Sequence, residues 1–333
     1  MPKSANQKLK LLYILKLFKE KTDENHYVTM NDIVEYLAEK EISAERKAIY
    51  RDIEALNEFG YDIKGEKIGT GYKYHLASRE FELFELKLLV DAVQSSRALT
   101  EEKSRELIKK LEAFTSDYNA AKIHKSVIVK NRVKTINEKV YYAMDAVDEA
   151  ISKNKAIRFE YRRWSVKKEL VPKKNAIKEN ISPWALIWDS DNYYMLGYDP
   201  AAQGFKHYRL DKMFNVTIES ERDREGRELF EGIDLAAYSN EHFSMYGGEI
   251  CTVKLECKNT TANFIIDKFG TDISLVPKDD EWFTVNVDVV PSKMFYGWVF
   301  SFGEDIRIIS PKGVRKEMRE RLKPVAKLYK SDN

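Results

Sequence analysis

The chain has too little cysteine to be held by sulfur. Its two cysteines, Cys251 and Cys257, lie six apart in one alternating segment. That excludes a disulfide framework and a cysteine-based zinc site, and both read as reduced packing residues. Long apolar runs are also missing: nothing approaches the roughly 18 consecutive apolar residues of a membrane-spanning helix, so no membrane partner is expected. Residues 1–6 lead into an amphipathic, lysine-bearing segment rather than an apolar leader core, and the expectation is a cytoplasmic protein. A charge of one sign is absent as well. Lys and Arg number 56 against 54 Asp and Glu, a net charge of +2, which excludes a strong overall field. The sequence has no GxGxxG, Walker, HExxH or GxSxG motif. The five histidines, His26, His75, His124, His207 and His242, are scattered without ligand spacing, and no paired carboxylates stand in an apolar setting. We therefore expect no catalysis, no metal and no cofactor.

What is present is a 333-residue chain with 43% hydrophobic and 33% charged residues, enough for two or three domains with buried cores. Positive charge collects locally: residues 1–19 hold five lysines and no acid, 153–178 hold ten basic and two acidic residues, and 311–330 hold eight and two. Each stretch fits an anionic contact surface or a solubilised face equally well.

Apolar residues Leu9, Leu12, Ile14, Leu15, Leu17 and Phe18 recur at helical spacing and stop at the polar cluster 22–25. Thr29 caps a second predicted helix with Ile33, Tyr36 and Leu37 on one face, and Ser43 caps a third that runs to Phe59 and stops at Gly60. Strands at 61–64 and 72–76 then flank a loop from Gly65 to Gly71. Three helices and a two-stranded wing are the order of a winged helix-turn-helix, assigned to 1–77.

Helices at 79–95, at 101–114 behind a Thr100 cap, and at 133–153 carrying Ile136, Val140, Ala143, Met144, Val147 and Ile151 make 78–154 a helical connector. Its apolar stripe fits dimerisation and intramolecular packing equally, because a stripe does not name its partner. Period-two strands follow at 157–161, 168–171, 184–188, 193–198 and 205–210, a small bent sheet or partial barrel within 155–220. A charged stretch, 219–227, opens a linker at 221–246. Strands at 249–258, 282–290 and 305–309 then alternate with helices at 260–269, 292–302 and 313–328, a C-terminal α+β domain over 247–333. The fold class is multidomain α+β.

The third helix is the sharpest local signal. Ile49, Ile53 and Leu56 fall on one side, while Arg46, Lys47, Tyr50 and Arg51 occupy the other. Such a helix in a major groove sets Arg46 and Lys47 against base edges or phosphates, Tyr50 and Arg51 on the backbone and Ser43 beside a phosphate, with Lys67 and Lys73 offered by the wing. Its own charge sums to zero, since Glu45, Asp52 and Glu54 offset Arg46, Lys47 and Arg51, so a solvated amphipathic helix is the equal alternative.

Residues 43–56, followed by Gly69-Thr70-Gly71-Tyr72, resemble the winged helix-turn-helix of WYL-domain transcriptional regulators, close to the DeoR type. The resemblance continues through Ile157-Arg158-Phe159-Glu160-Tyr161-Arg162, Leu170-Val171-Pro172, Ser182-Pro183-Trp184, Asn192 to Asp199 and Lys206 to Met213. Trp282, Gly303, residues 306–311 and the closing helix are similar to the extension that follows a WYL domain. Two departures stand out. The signature Trp-Tyr-Leu is Tyr193-Tyr194-Met195 here, and of the later arginines only Arg209 keeps its guanidinium, with Lys206 and Lys212 supplying point charges without a planar fork.

The resemblance implies an Sm-like sensor domain whose basic groove binds a nucleotide or single-stranded nucleic acid. Tyr161, Arg162, Arg163, Ser182, Tyr193, Lys206, His207, Arg209 and Lys212 are its candidate ligand residues. Cations for phosphates beside aromatic faces for stacking agree in kind with single-strand binding. Tyr194 and Trp184 read as core aromatics, and a lone strand histidine such as His207 is more often a satisfied hydrogen-bonder than a ligand. The expectation is a homodimeric one-component regulator, a repressor, on an inverted-repeat duplex operator, with a nucleotide or oligonucleotide effector. The alternative is a nucleic-acid-binding accessory protein whose WYL-like domain regulates a partner enzyme.

Overall fold

The computed structural model describes residues 7–69, 71–123, 134–135 and 140–329 of a multidomain α+β protein. It divides into two units, 1–136 and 137–333.

In the first unit α1 (Lys10–Lys21), β1 (Val28–Thr29), α2 (Met30–Glu39) and α3 (Arg46–Phe59) precede the hairpin β2 (Ile63–Ile68) and β3 (Gly71–Leu76), and the sheet order is β1-β3-β2. Ile14, Phe18, Ile33, Leu37, Ile49 and Ile53 bury one face of each helix in a common core. Thr29 caps α2 in a reciprocal capping box with Asp32, as its sequence position predicts. The cap of α3 is a correction: the helix starts at Arg46 behind Glu45, not at Ser43. Ile42 is fully buried and its amide donates to the Leu37 carbonyl, so the chain stays pinned to the end of α2 for several residues before α3 begins. Gly60 ends α3 at φ 115°, a left-handed conformation natural to glycine. The predicted 65–71 loop is mostly strand, because β2 and β3 pair from Ile63–Leu76 to Ile68–Gly71. Gly65 is needed there for space: a Cβ would meet the Tyr74 ring at 2.7 Å.

Beyond the hairpin come α4 (Leu83–Ser95), α5 (Glu101–Glu112) and α6 (Asp117–Ile123). α4 starts four residues later than predicted, because the Arg79 guanidinium donates to the carbonyls of Lys19 (2.9 Å) and Thr22 (2.6 Å) and holds its segment against the end of α1. Thr100 caps α5 as expected. The short α6 was not legible; Ser116 and Asp117 tie it to Asp23 (2.5 Å) and Lys21 (2.6 Å), some ninety residues upstream. Of the helix predicted at 133–153, Val133 and Ile136 lie outside the described residues, as does Thr70 at the hairpin turn.

The second unit opens with α7 (Val140–Ser152), followed by β4 (Lys155–Trp164), β5 (Leu170–Asp189), β6 (Asn192–Asp199), β7 (Gly204–Arg209) and β8 (Met213–Asp223). All pairings are antiparallel, in the order β7-β6-β5-β4-β8. Two expectations change here. The strands predicted at 168–171 and 184–188 are one strand, β5, which bends through register shifts against β4 and β6. The charged stretch 219–227 does not break the sheet at its start, because β8 runs to Asp223. Val147, Ala150, Phe159, Ile181, Met195, Tyr208 and Met213 form the core between α7 and one sheet face, so α7 packs with the sheet rather than with α4–α6.

The predicted 221–246 linker is structured. It holds α8 (Arg227–Glu231) and α9 (Leu235–Glu241), and Phe230, Tyr238 and Met245 pack on the other sheet face with Tyr194 and Leu196. The final domain runs β9 (Cys251–Lys258), α10 (Ala262–Phe269), β10 (Leu275–Pro277), β11 (Trp282–Val289), α11 (Lys293–Phe300), β12 (Ile306–Ser310) and α12 (Lys312–Leu328). Its sheet order is β10-β11-β9-β12, and its alternate residues Val253, Leu255, Cys257, Val285 and Val287 bury against Phe295 and Val299. Both cysteines are free thiols on β9, and burial pushes Cys257 up to about 12. Among the described residues no helix is long and apolar enough to cross a membrane.

Candidate functional site

The first candidate surface is the outer face of α3. Ile49, Ile53 and Leu56 are buried, and Arg46, Lys47, Tyr50 and Arg51 are exposed on the opposite side. The Arg46 Nη2 donates to Asn31 Oδ1 on α2 at 2.6 Å, which aims the guanidinium along the α2–α3 junction. Tyr50 is 49% exposed and meets the Tyr74 ring edge-on at 6.4 Å. Burial and the neighbouring Tyr50 push the Tyr74 hydroxyl up to about 12, so it stays protonated. Asp52 pairs with Lys10 at 2.7 Å, which removes one of the offsetting acids from the exposed face. Ser43 is exposed before the Glu45 cap.

The hairpin lysines do not share a face. Lys67 lies opposite Tyr72 and Lys73 opposite Glu66, and adjacent pairs point to alternate sides. Lys67 therefore lies on the side of Tyr72 and Tyr74, while Lys73 lies on the side of Glu66. Two residues escaped the sequence reading. Asn31 orients Arg46, and Tyr72, 60% exposed at the hairpin tip, was flagged only by its flanking glycines.

The second candidate surface is built on β5, β6 and β7. Register sets Ile187, Tyr194 and Arg209 in one row across the sheet and Ala185, Leu196 and His207 in the next. Arg209 reaches Asp211 with both arms of its fork, Nε at 3.0 Å and Nη2 at 2.8 Å, and its backbone N–H donates to the Tyr161 hydroxyl at 3.2 Å. Burial, then the Arg209 charge, holds the half-buried Lys212 ammonium below its usual range. Tyr161, Arg209 and Lys212 are thus together, with Tyr194 beside them; burial raises its hydroxyl, and Arg209 is the nearest charge opposing that rise.

The other predicted ligand residues are placed elsewhere. Arg162 pairs with Glu160 at 2.9 Å and lies 4.3 Å over the Phe214 ring, and Arg163 is exposed beyond it. Lys206 points to the opposite side from Arg209 and pairs with Asp199 at 2.6 Å. Tyr193 packs edge-on against Trp188 at 4.6 Å. Ser182 is a correction: it is buried, and its hydroxyl accepts the Glu225 amide at 2.9 Å, so it fastens the 224–231 segment and offers nothing to a ligand.

His207 is a satisfied hydrogen-bonder. Its Nε2 lies 2.9 Å from the Tyr238 hydroxyl, and burial, reinforced by the His242 ring at 5.4 Å, pushes it down to about 4. Tyr194 and Trp184 are buried, as their aromaticity suggested. Tyr238 and His242, stacked at 3.9 Å, were missed because they come from the segment read as a linker. Among the described residues no group of His, Cys, Asp and Glu could hold a metal ion.

Comparison with known proteins agrees with this layout. The WYL domain family matches residues 142–218, from α7 into β8, and the WCX domain family matches residues 249–326, from β9 into α12. The chain carries a WYL domain followed by a WCX domain. It is similar to YobV of Bacillus subtilis strain 168, an uncharacterized HTH-type transcriptional regulator, with 20% identity over 301 residues, 86% of this chain and 90% of the relative. Solved structures similar to it include proteasome accessory factor B/C of Arthrobacter aurescens, at 18% identity and a TM-score of 0.30 over 97% of this chain and 49% of that one. A CRISPR Cas-related protein aligns at 17% identity and a TM-score of 0.25 over 72% of this chain and 75% of that one. The chain spans about half the length of the proteasome accessory factor it matches.

Proposed function

We propose that this chain is a sequence-specific, DNA-binding transcriptional regulator. Its first 77 residues act as a winged helix-turn-helix, and its WYL domain, of Sm-like design, senses a nucleotide or single-stranded nucleic acid. The observation that carries the reading is the division of α3. A buried Ile49–Ile53–Leu56 face fixes the helix, and Arg46, Lys47, Tyr50 and Arg51 stand outward beside the hairpin. Helices set this way present short-range cations and an aromatic to a major groove. The similarity to an HTH-type transcriptional regulator over most of both chains supports the same class.

In this reading the protein is a cytoplasmic homodimer without catalytic activity. Two copies of α3 address half-sites about one helical turn apart. Effector at Tyr161, Arg209 and Lys212 shifts the dimer between operator-competent and incompetent arrangements through its different affinity for them. Repression is the sign of control we assign.

The test is selection of random duplex DNA by the purified protein at near-physiological salt, followed by footprinting with Arg46→Ala/Arg51→Ala. We expect an enriched inverted repeat with fixed spacing. Each lost contact costs about 1–3 kcal/mol, so the double variant loses about 30-fold or more in affinity. Weak, salt-erased, sequence-blind binding instead favours an accessory protein that regulates a partner enzyme.

A further inference from the structure

β5 ends at Asp189, two residues past Ile187 and on the sheet face that carries Tyr194 and Arg209. Its Oδ2 is buried and has no hydrogen-bond partner. A buried acceptor left unmade costs about 1–3 kcal/mol, and such atoms are rare enough in folded proteins to call for a reason. The charge that answers Asp189 comes from the other domain: Lys268, near the end of α10. Lys268 is half-buried, with its Nζ 4.5 Å from the centre of the Phe243 ring, and it forms no ion pair with any described carboxylate. Burial raises the Asp189 carboxyl and lowers the Lys268 ammonium, the signature of two desolvated groups that attract across a gap without touching.

An acceptor and a donor that face each other unsatisfied define what fits between them. A phosphate would satisfy Lys268 and be repelled by Asp189. A carboxylate would fare no better. A nucleobase edge, which sets an N–H donor beside a carbonyl or ring-nitrogen acceptor, completes both at once. The phosphate end is already nearby. Two strands across and two residues along the sheet separate Asp189 from Arg209, ~12 Å at ordinary strand spacing and rise. That distance suits a nucleotide lying from its phosphate to the far edge of its base. Tyr194 lies between the two ends and feels the charge of both Arg209 and Asp189.

We propose that Asp189 of the WYL domain and Lys268 of the WCX domain together form a base-reading subsite, which binds the nucleobase edge of a ligand whose phosphate is held at Arg209 and Lys212. The inference rests on the reading of the WYL domain as a nucleic-acid sensor and adds to it a contact from the WCX domain. The WCX domain thereby becomes part of the sensor, because ligand can occupy both ends only while α10 stays against the end of β5.

The experiment uses the full-length protein and two fluorescein-labelled probes: a mixed-sequence single-stranded DNA nonanucleotide and the same backbone without bases, titrated by anisotropy. Wild type binds the base-bearing strand about 10-fold or more tighter than the abasic one. Asp189→Asn and Lys268→Met each remove about 10-fold from that preference and leave abasic binding unchanged, while Lys268→Arg retains most of it. Arg209→Ala weakens both strands together. Melting curves matching wild type establish that the variants are folded. If Asp189→Asn and Lys268→Met bind both strands as wild type does, the subsite is overturned and the sensor reading stands. If wild type binds neither strand, the sensor reading falls and takes the subsite with it.

Discussion

The outer face of α3 and the Arg209 corner use the same residue types under opposite physical conditions. On α3, Arg46, Lys47 and Arg51 stand in water above an apolar core, with Asn31 as the one fixed partner of Arg46 that orients it. At the corner Arg209 is half-buried and clasped by Asp211, and Lys212 has lost hydration. Exposed cations attract over long range but are screened by salt, whereas desolvated ones act at contact range, where geometry and partner chemistry decide. A surface of the first kind suits a partner met by diffusion along a polyanion. A surface of the second kind suits a small ligand that must replace water at fixed points.

The largest effect that sharpens this contrast lies beneath the exposed face. Ile49 is fully buried, and Ile49→Ala costs about 2–5 kcal/mol of stability in the first unit, read by urea denaturation. An unchanged midpoint would mean that α3 is held by something other than its apolar face.

A smaller effect concerns pH in the second unit. His207 stays neutral down to about 4 in the fold, whereas the unfolded chain protonates near 6.5. Its contribution is therefore complete above that upper value and is lost as pH falls through the window, by roughly 3 kcal/mol. His242, also pushed down by burial, adds to the same slope. His207→Gln should flatten part of the dependence measured between pH 7.5 and 5; an unaltered slope would place the titration elsewhere.

The smallest effect is in the hairpin. Lys67→Ala should lower the slope of log affinity against log salt by about one on duplex DNA, and Lys73→Ala, on the side of Glu66, should change it less. Equal losses would mean that both faces of the hairpin meet the phosphates.

The two regions also differ in how far the sequence discloses them. The α3 face follows from one local rule, the spacing of Ile49, Ile53 and Leu56, and the exposed residues are what that rule leaves over. The second site is assembled from segments far apart in the chain. Tyr161 meets Arg209 across 48 positions and His207 meets Tyr238 across 31, and no local period encodes either contact. Ser182 was misjudged for the same reason, since its partner Glu225 lies in a segment whose charge suggested a loose linker. β8 was readable in principle, because Phe214, Val216 and Ile218 alternate, but the acids and arginines after it obscured the pattern. The start of α3 was missed because a serine is a strong cap by type, and burial of Ile42 outweighs that preference.

One joint in the second unit has an optical consequence. Trp184 is nearly enclosed, stacked on Phe230 at 4.8 Å, with the Arg224 guanidinium 4.1 Å from its ring and its indole N–H given to the Glu225 carbonyl at 2.8 Å. Gly226, at φ 85° with the Tyr198 ring where a Cβ would be, lets the chain turn back over that indole. Any event that lifts α8 from the sheet must strip the indole of its cation, its aromatic neighbour and its carbonyl in one step. Trp184 is therefore a built-in fluorophore whose emission wavelength and intensity report whether the WYL sheet is covered.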